Sequence, residues 1–390
     1  MRILLPSIVD PRQHRGGAGT ATRGLLALLG RPPLAAEVDV VVPSSPLPHR
    51  LRQLIALTRA SFSAWPSKAL FLDSWRFRRA IARMVAMRRY DLVLINGGDL
   101  LWMLPQLPSG VPKVLYAHNI ERDLFAAQLE GLPALLRRGR GRLRRDLDKL
   151  ATYELHGMRA IGRVLFISTA DDARIREEAG GVQTLHLPPV FDYEPRGRVR
   201  RRRLGATPAL GFLANFTWWP NRAALRWLLQ HVLPSLTRDL RVHLFGAGSA
   251  GVESSDPRVV VHGFVDDIAE VFARCDVMLC PIVSGAGVNV KFAEALYNGV
   301  PVLATPFAAR GLPVSAGAGI ALADGAEEWV RFLDGEGLER LAAEEVPAKT
   351  VRAFAPATHA PAVHAFLRAA VAEARDAGHD CPEVRWARSP

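Results

Sequence analysis

Short apolar runs alternate with longer stretches of helical periodicity along almost the whole of this 390-residue chain. The runs have the length of strands, and the stretches between them are long enough for helices that cross from one strand to the next. The runs are Arg2–Val9, Val38–Pro43, Asp91–Asn96, Pro112–Ala117, Arg163–Ile167, Gln183–Leu187, Ala209–Phe216, Arg241–Gly246, Val259–Val265, Val277–Val283 and Pro301–Thr305. This order predicts an α/β protein with two doubly wound, Rossmann-like domains facing each other across a cleft.

The segment Pro188–Gly197 follows neither periodicity, and its prolines and glycine predict a domain boundary. We expect a first domain over residues 1–190, a linker over 191–207, a second domain over 208–355, and a C-terminal helix with a frayed tail over 356–390. The longest helices are predicted at Thr20–Leu29, Lys68–Arg88, Gly141–Arg159, Asn221–Leu236, Asp267–Arg274, Asn289–Asn298 and Pro361–Ala377.

The net charge of +12 has a local origin. Two runs, Arg137–Arg145 and Arg196–Arg203, hold twelve arginines; the other 38 basic residues equal the 38 acidic ones in number. Such runs are typical of a solvated surface, of contact with anionic lipid head groups, or of nucleic-acid binding. Because no aromatic residue interrupts either run, nucleic acid is not the expected partner, and a peripheral contact with an anionic membrane stays open.

The three cysteines, Cys275, Cys280 and Cys381, have neither a disulfide pattern nor metal-ligand spacing. Thiols of this kind are typical of a reducing cytoplasm, and we expect no metal site. The sequence contains no run of eighteen apolar residues, and its N-terminus reads as a first strand. These features predict a cytoplasmic protein.

The segment from Ser284 to Thr305 predicts an anion site. A strand-length run is followed by the small residues Ser-Gly-Ala-Gly, then by a helix that carries Lys291 and Glu294, then by another strand. Backbone amides at a helix start bind phosphate when glycines allow close approach. An exposed i,i+3 ion pair is the structural alternative for the two charges, but the rest of this helix is apolar, which favours a nucleotide-diphosphate site.

Two further groups follow predicted strands in the first half of the chain. Gly16–Gly19 could admit a phosphate or a sugar against bare backbone, or could simply permit a tight turn before the helix at Thr20. His118, Asn119 and Glu121 place an imidazole, an amide and a carboxylate in one loop, where a buried histidine and a helix-capping asparagine are the structural alternatives.

Corresponding groups follow predicted strands in the second half. Asn215 and Trp218 lie at a strand end and the entry to a helix, with Asn221 as the expected N-cap of that helix. The tryptophan could equally pack in the domain core. Phe264 and Val265 follow another strand and could lie against a flat base.

Four stretches, Gly16–Gly19, His118–Glu121, Phe212–Asn221 and Gly285–Thr305, together resemble glycosyltransferase family 4 of the GT-B fold, in the subgroup associated with bacterial polysaccharide and surface-glycan clusters. The resemblance implies transfer of a sugar from a nucleoside diphosphate with retention of anomeric configuration. It implies no obligatory metal and no cofactor other than the donor substrate. It also implies that the first domain binds the acceptor and the second binds the donor.

The resemblance also implies individual roles. His118, Lys291 and Glu294 are the expected catalytic residues: His118 lies beside the transferred sugar, Lys291 neutralises the leaving diphosphate, and Glu294 binds the ribose. The donor and its phosphates are expected to contact Gly17, Gly19, Asn215, Gly287, Val288, Asn289, Phe264 and Val265. The acceptor or sugar is expected to contact Asn119, Glu121 and Trp218.

The sequence therefore predicts a retaining glycosyltransferase that uses a nucleotide sugar and a glycan, lipid-linked or small-molecule acceptor. Two alternatives remain at this point. One is a nucleotide-sugar epimerase on the same fold. The other is a catalytically degenerate protein that docks on anionic lipid or nucleic acid, because the family's usual first glutamate is replaced by Ala286.

Overall fold

The computed structural model describes residues 1–14, 16–130, 140–195 and 207–376. The chain forms two compact units. The first contains residues 1–188 together with the segment that begins at His359, and the second contains Pro189–Thr358. Among the described residues, no helix is both long enough and apolar enough to span a bilayer.

The first unit is built on a six-stranded parallel sheet with strand order β2-β1-β3-β4-β5-β6. Its strands are nearly continuous apolar runs because helices cover both faces of the sheet. The strands are β1 Arg2–Pro6, β2 Glu37–Val41, β3 Leu92–Asn96, β4 Lys113–Ala117, β5 Arg163–Phe166 and β6 Gln183–His186. The helices are α1 Gly17–Leu29, α2 His49–Ser61, α3 Ser67–Leu72, α4 Trp75–Met87, α5 Glu121–Glu130, α6 Arg140–Ile161 and α7 Thr169–Ala179, with a 3-10 segment at Gly98–Gln106.

The second unit has the same plan, a parallel sheet with strand order β12-β11-β10-β7-β8-β9. Its strands are β7 Ala209–Leu213, β8 Arg241–Phe245, β9 Val259–Gly263, β10 Val277–Cys280, β11 Val302–Ala304 and β12 Ile320–Leu322. Its helices are α8 Trp219–Trp227, α9 Ile268–Arg274, α10 Val290–Tyr297, α11 Pro306–Ala309, α12 Gly325–Asp334, α13 Glu336–Ala343 and α14 Ala348–Arg352. Two doubly wound domains are therefore confirmed, although the short edge strand β12 was not predicted.

The last helix, α15 (Pro356–Asp376), packs on the first unit. The His364 Nε2 atom lies 2.9 Å from the carbonyl oxygen of Leu28. Arg163, in β5, donates to Glu373 at 2.5 Å, and its guanidinium lies 5.0 Å from the centre of the Phe366 ring. The C-terminal helix is thus an integral layer of the first domain.

Two of the predicted long helices are interrupted. The stretch Lys68–Arg88 forms α3 and α4, because Asp73 and Ser74 are extended and the Ser74 hydroxyl accepts a hydrogen bond from the Phe77 amide at 3.3 Å as an N-cap. The stretch Asn221–Leu236 ends as a helix at Trp227 and continues as a wider π turn and a 3-10 turn. α1 begins at Gly17 rather than at Thr20, so two of the glycines lie inside its first turn.

Of the arginine runs, residues 137–139 and the whole of Arg196–Arg203 lie outside the described residues, as does Cys381. Arg142, Arg144 and Arg145 are exposed in the first turns of α6.

Candidate functional site

The ion pair on α10 is the centre of the polar group in the second domain. Lys291 Nζ donates to Glu294 Oε2 at 2.7 Å, and the Glu294 side chain is only 4% exposed. The side chains from Phe292 to Tyr297 are buried in the core, and Val290 is half-buried against it. Burying a carboxylate is costly unless a cation and hydrogen bonds compensate it. Because Lys291 keeps 21% of its side chain exposed, its ammonium can both compensate Glu294 and reach a ligand.

A second carboxylate oxygen of Glu294 is held by Tyr193, which the sequence assigned to the linker. The Tyr193 hydroxyl donates to Glu294 Oε1 at 3.3 Å and accepts from Asn298 Nδ2 at 2.9 Å. Burial, followed by the charge of Glu294, raises the pKa of Tyr193 well above its usual value. The rings of Phe191 and Tyr297 stack with their centres 5.0 Å apart, and this contact holds the segment that carries Tyr193 on the second domain. Tyr193 therefore orients Glu294 through a contact that spans 101 residues of sequence.

The glycine turn before α10 leaves backbone amides available. Gly285 and Gly287 have φ of 121° and 71°, which L-residues with a side chain rarely adopt. The Asn289 side chain accepts from the amides of Lys291 and Phe292 at 3.1 and 3.3 Å and so caps the helix. Within the described part of the chain, the amides of Gly287, Val288 and Asn289 donate no intramolecular hydrogen bond. Together with the helix start, they form an arrangement that binds an oxyanion.

Arg310, the residue directly after α11, holds the same turn through its side chain. Its Nη2 donates to the carbonyl oxygen of Gly285 at 2.9 Å, and its guanidinium lies 3.6 Å from the centre of the Phe307 ring. Arg310 was not identified from the sequence. The sequence signal that could have identified it is its position as a charged residue six residues after the end of β11.

The loop after β7 is organised by Asn215. Its Oδ1 accepts from the Thr217 amide at 3.0 Å and from the Thr217 hydroxyl at 2.7 Å, while its carbonyl accepts from Asn221 Nδ2 at 2.8 Å. The expectation that Asn221 caps the helix is wrong: α8 begins at Trp219, and Asn221 lies inside its first turn, tied back to Asn215. Trp218 is 42% exposed and is available to a ligand.

Phe264 and Val265 lie just beyond the end of β9. Phe264 is exposed, whereas Val265 is half-buried against the apolar core of the second unit. The structure thus places an exposed aromatic ring next to a half-buried valine near this strand end.

In the first domain, His118 belongs to a buried polar chain at the ends of β3 and β4. Its Nε2 lies 2.5 Å from Asn96 Oδ1, and Asn96 Nδ2 donates to the hydroxyls of Ser7 at 2.8 Å and Thr22 at 2.9 Å. Since the amide nitrogen of Asn96 serves these two hydroxyls, its oxygen must accept from His118, which places the imidazole proton on Nε2. The Nδ1 atom then carries the free lone pair. Asn96, the last residue of a predicted strand, was not singled out from the sequence.

Burial lowers the pKa of His118 to about 4, against a smaller opposing effect of the Glu121 charge. The imidazole is therefore neutral at physiological pH. A neutral ring with Nε2 already donating offers a hydrogen-bond acceptor, which suits a sugar hydroxyl.

Glu121 and Asn119 occupy different environments from those expected of a loop. Glu121 is the first residue of α5, is 3% exposed, and pairs with Lys68 of α3. Asn119 Nδ2 lies 3.4 Å from Glu121 Oε1. The sequence did not indicate Lys68, because its partner is 53 residues away.

Two further carboxylates surround this pair. Asp99 Oδ1 lies 3.6 Å from Lys68 Nζ, and Glu154 accepts from the Glu121 amide at 2.6 Å at the start of α5. Burial and the charge of Glu121 raise the pKa of Asp99 to about 6 and that of Glu154 to about 8. Because a single ammonium faces three carboxyl groups, the cluster tends to keep a proton on one of them. The hydrogen bond from the Glu121 amide to Glu154 also fixes the start of α5 next to His118.

The glycines at the start of α1 meet protein atoms. A Cβ on Gly19 would lie 2.0 Å from the carbonyl oxygen of His14, and Gly16 donates to His14 Nδ1 at 3.2 Å. Arg23 holds the same loop by donating to the carbonyls of Pro11 and His14 at 3.0 and 3.1 Å. Close approach of this loop therefore explains why position 19 is glycine. The donor contact expected for Gly17 and Gly19 stays a prediction, as do the other predicted contacts.

Both halves of the sequence match family models of glycosyltransferases. Residues 15–186 match Glycosyltransferase Family 4, and residues 207–333 match Glycosyl transferases group 1. None of the curated proteins is significantly similar to this chain in sequence.

Solved structures share its fold at low identity. Sucrose-phosphate synthase from Thermosynechococcus elongatus has a TM-score of 0.70 at 16% identity, covering 96% of this chain and 100% of its own. HepE from Anabaena, in complex with UDP and glucose, has a TM-score of 0.60 at 16% identity, with 95% and 100% covered. TarM has a TM-score of 0.54 at 11% identity, with 74% and 58% covered. The fold and the two sequence matches agree: the chain is a glycosyltransferase-family-4-like protein of GT-B type.

Proposed function

We propose that this family-4-like protein is a retaining glycosyltransferase that moves a hexose-like sugar from a nucleoside diphosphate to a glycan, lipid-linked or small-molecule acceptor. The observation that carries the proposal is the buried Lys291–Glu294 pair, 2.7 Å apart, directly after the amide-rich turn at 285–289. In the reaction, the bond between the anomeric carbon and the diphosphate oxygen breaks. The acceptor oxygen forms the new bond to that carbon, and its proton passes to the leaving diphosphate oxygen.

The second domain would stabilise the leaving group. Negative charge grows on the diphosphate as its bond to the sugar breaks, and fixed donors lower the barrier by meeting that charge. Lys291 Nζ and the amides of Gly287, Val288 and Asn289 would supply these donors. Such a set of donors supports a reaction without an obligatory metal or cofactor.

Glu294 would accept hydrogen bonds from the ribose hydroxyls while Tyr193 holds the carboxylate in place. Phe264 and Trp218 offer exposed aromatic faces for the base or the sugar. In the first domain, His118 Nδ1 would accept from a hydroxyl of the transferred sugar. Asn119 and Glu121 would then act near the acceptor, with Glu121 mainly positioning the start of α5.

The ligands of two structural neighbours support a nucleotide-sugar donor. HepE was solved in complex with UDP and glucose and also with UDP-glucose. The structure with UDP-glucose matches this chain with a TM-score of 0.57. TarM was solved with UDP and alpha-GlcNAc-glycerol. We extend the uridine nucleotide to this chain as part of the proposal.

The test is donor binding and turnover in the variant Lys291→Gln. Lys349, exposed on α14 of the same domain, provides the matched control Lys349→Gln. We expect calorimetry with UDP to show a loss of affinity of about tenfold or more in the first variant only, because a charge-assisted contact to phosphate is lost. Equal affinities in both variants would contradict the assignment. Incubation of the donor without acceptor, followed by NMR, distinguishes epimerisation from transfer.

We also propose a cytoplasmic location with a peripheral contact at the inner membrane through Arg137–Arg145 and Arg196–Arg203. Cys275 and Cys280 are buried thiols, and this supports the reducing compartment. The exposed side chains of Arg142, Arg144 and Arg145 support the contact. Replacing these three arginines with glutamine and measuring flotation with anionic vesicles tests it.

A further inference from the structure

Helix α2 buries two alanines and exposes three of its four large apolar residues, while Leu57 is half-buried. Only Ala56 and Ala60 are buried, with Ala56 2% exposed. Leu54 is 63% exposed, and Phe62, directly after the last residue of the helix, is 89% exposed. A helix on the surface of a globular domain normally has the opposite arrangement.

The exposed apolar residues form one stripe. At 100° per residue, Leu51, Leu54 and Ile55 fall within a sector about 100° wide, on the side opposite the two buried alanines. Leu47 precedes the helix and Phe62 follows it, and both are exposed. We call this set the α2 stripe; it consists of Leu47, Leu51, Leu54, Ile55 and Phe62. Single exposed leucines are common, but a contiguous apolar stripe indicates a surface that is covered in use.

Positive charge borders the α2 stripe. Arg50 lies on one side of it and Arg59 on the other, and both are exposed. The sequence from Val40 to Leu72 contains no aspartate or glutamate. Asp73, the first acidic residue beyond it, is held by Arg78 at 2.6 Å and lies 3.8 Å from Arg59.

An exposed tryptophan follows a residue that is hydrogen-bonded to the segment leading into α2. Ser74, which caps α4, donates to the carbonyl oxygen of Ser44 at 2.6 Å, in the segment that leads into α2. Trp75 follows Ser74 and is largely exposed. Tryptophan is enriched where an apolar phase meets water.

We propose that α2 lies flat on an anionic membrane, with the α2 stripe among the acyl chains and Arg50 and Arg59 at the lipid phosphates. An apolar face with a basic border is the chemistry of an interfacial helix. Charge decides against a second copy of the chain, since pairing two such faces would bring positive borders together without an acidic counterpart. The α2 stripe shares no residue with the arginine runs, although Lys149 of α6 donates to the carbonyl oxygens of Ala60 and Ser63 at 2.6 Å. The proposal does not depend on the proposed donor chemistry.

The experiment uses the full chain and two vesicle types, phosphatidylcholine alone and phosphatidylcholine containing phosphatidylglycerol. The variant Leu51→Ser/Leu54→Ser/Phe62→Ser removes three exposed apolar groups and should leave the fold intact. We expect its partition into anionic vesicles to fall by about tenfold or more, with UDP affinity unchanged. The matched control is Met87→Ser, an exposed apolar residue at the far end of α4, which should bind vesicles like the wild type.

A second variant, Arg50→Gln/Arg59→Gln, should bind anionic vesicles more weakly and with less dependence on salt. Three results would overturn the proposal. One is unchanged partition of the triple serine variant. Another is loss of binding only when Arg142, Arg144 and Arg145 are replaced by glutamine. The last is a wild-type dimer that the triple serine variant converts to a monomer without changing vesicle binding.

Discussion

The pair Lys291–Glu294 combines a structural and a functional role, and a double-mutant cycle separates them. Replacing Lys291 with methionine keeps the volume of the side chain but leaves Glu294, 4% exposed, without its cation. Removing one partner of a buried pair costs about 3–5 kcal/mol. Because Lys291 is 21% exposed, we expect the lower part of this range or slightly less, about 2–3 kcal/mol in the free energy of unfolding.

Adding Glu294→Gln to that variant removes the uncompensated charge. We expect the double variant to recover all but about 1 kcal/mol, and Glu294→Gln alone to cost at most about 1 kcal/mol. The coupling energy should then lie between about 1 and 3 kcal/mol. Binding should behave differently, because the amide cannot replace the ammonium at the diphosphate. The affinity for UDP should therefore stay reduced by about tenfold or more in both variants that lack Lys291.

The assays are urea unfolding followed by tryptophan fluorescence and calorimetric titration with UDP. If the double variant regains both stability and UDP affinity, Lys291 serves only to neutralise Glu294, and the anion-site interpretation fails. If neither single variant changes stability by more than about 0.5 kcal/mol, the pair is not buried as described.

Three further predictions follow from the same contacts. Tyr193→Phe should lower stability by about 1 kcal/mol and weaken UDP binding, because Glu294 loses a hydrogen bond; unchanged binding would show that the tyrosine does not orient the ribose ligand. Gly287→Ala should reduce UDP affinity and cost about 1–2 kcal/mol, since its φ of 71° strains a residue with a side chain; Gly251→Ala, with open space and ordinary φ, is the control. His118 has a folded pKa of about 4, below its ordinary 6.5, so its contribution is fully present above pH 6.5 and is lost as the pH falls towards 4. Over that window the free energy of unfolding of the wild type should fall by roughly 3 kcal/mol relative to that of His118→Gln, because the raised pKa values of Asp99 and Glu154 act in the opposite direction in both proteins. Curves that stay parallel would contradict the buried neutral imidazole.

Much of the fold was predictable because parallel strands buried on both faces must be apolar along their whole length. That requirement marks β1, β3, β4, β7 and β10 directly in the sequence. β12 was missed because three residues are too few to show a period. The split between α3 and α4 was missed because a single capping serine in an otherwise helical pattern decides it.

The candidate site was predictable where its contacts are local. Lys291 and Glu294 are three residues apart on one helix, so their spacing alone brings them together. Tyr193, Asn96, Lys68 and Arg310 were not identified, because each acts through a partner between 22 and 101 residues away.

The sequence by itself determined two parallel α/β domains, the glycine turn before a charged helix, and the polar residues at the strand ends. Only the tertiary structure decided which faces these residues present: that Glu121 turns into a buried cluster, that His118 is neutral, and that α2 directs its leucines outward. The physical reason is that periodicity reports whether a segment has an apolar side. Which neighbour covers that side, and at what cost to a buried charge, depends on residues far away in the chain.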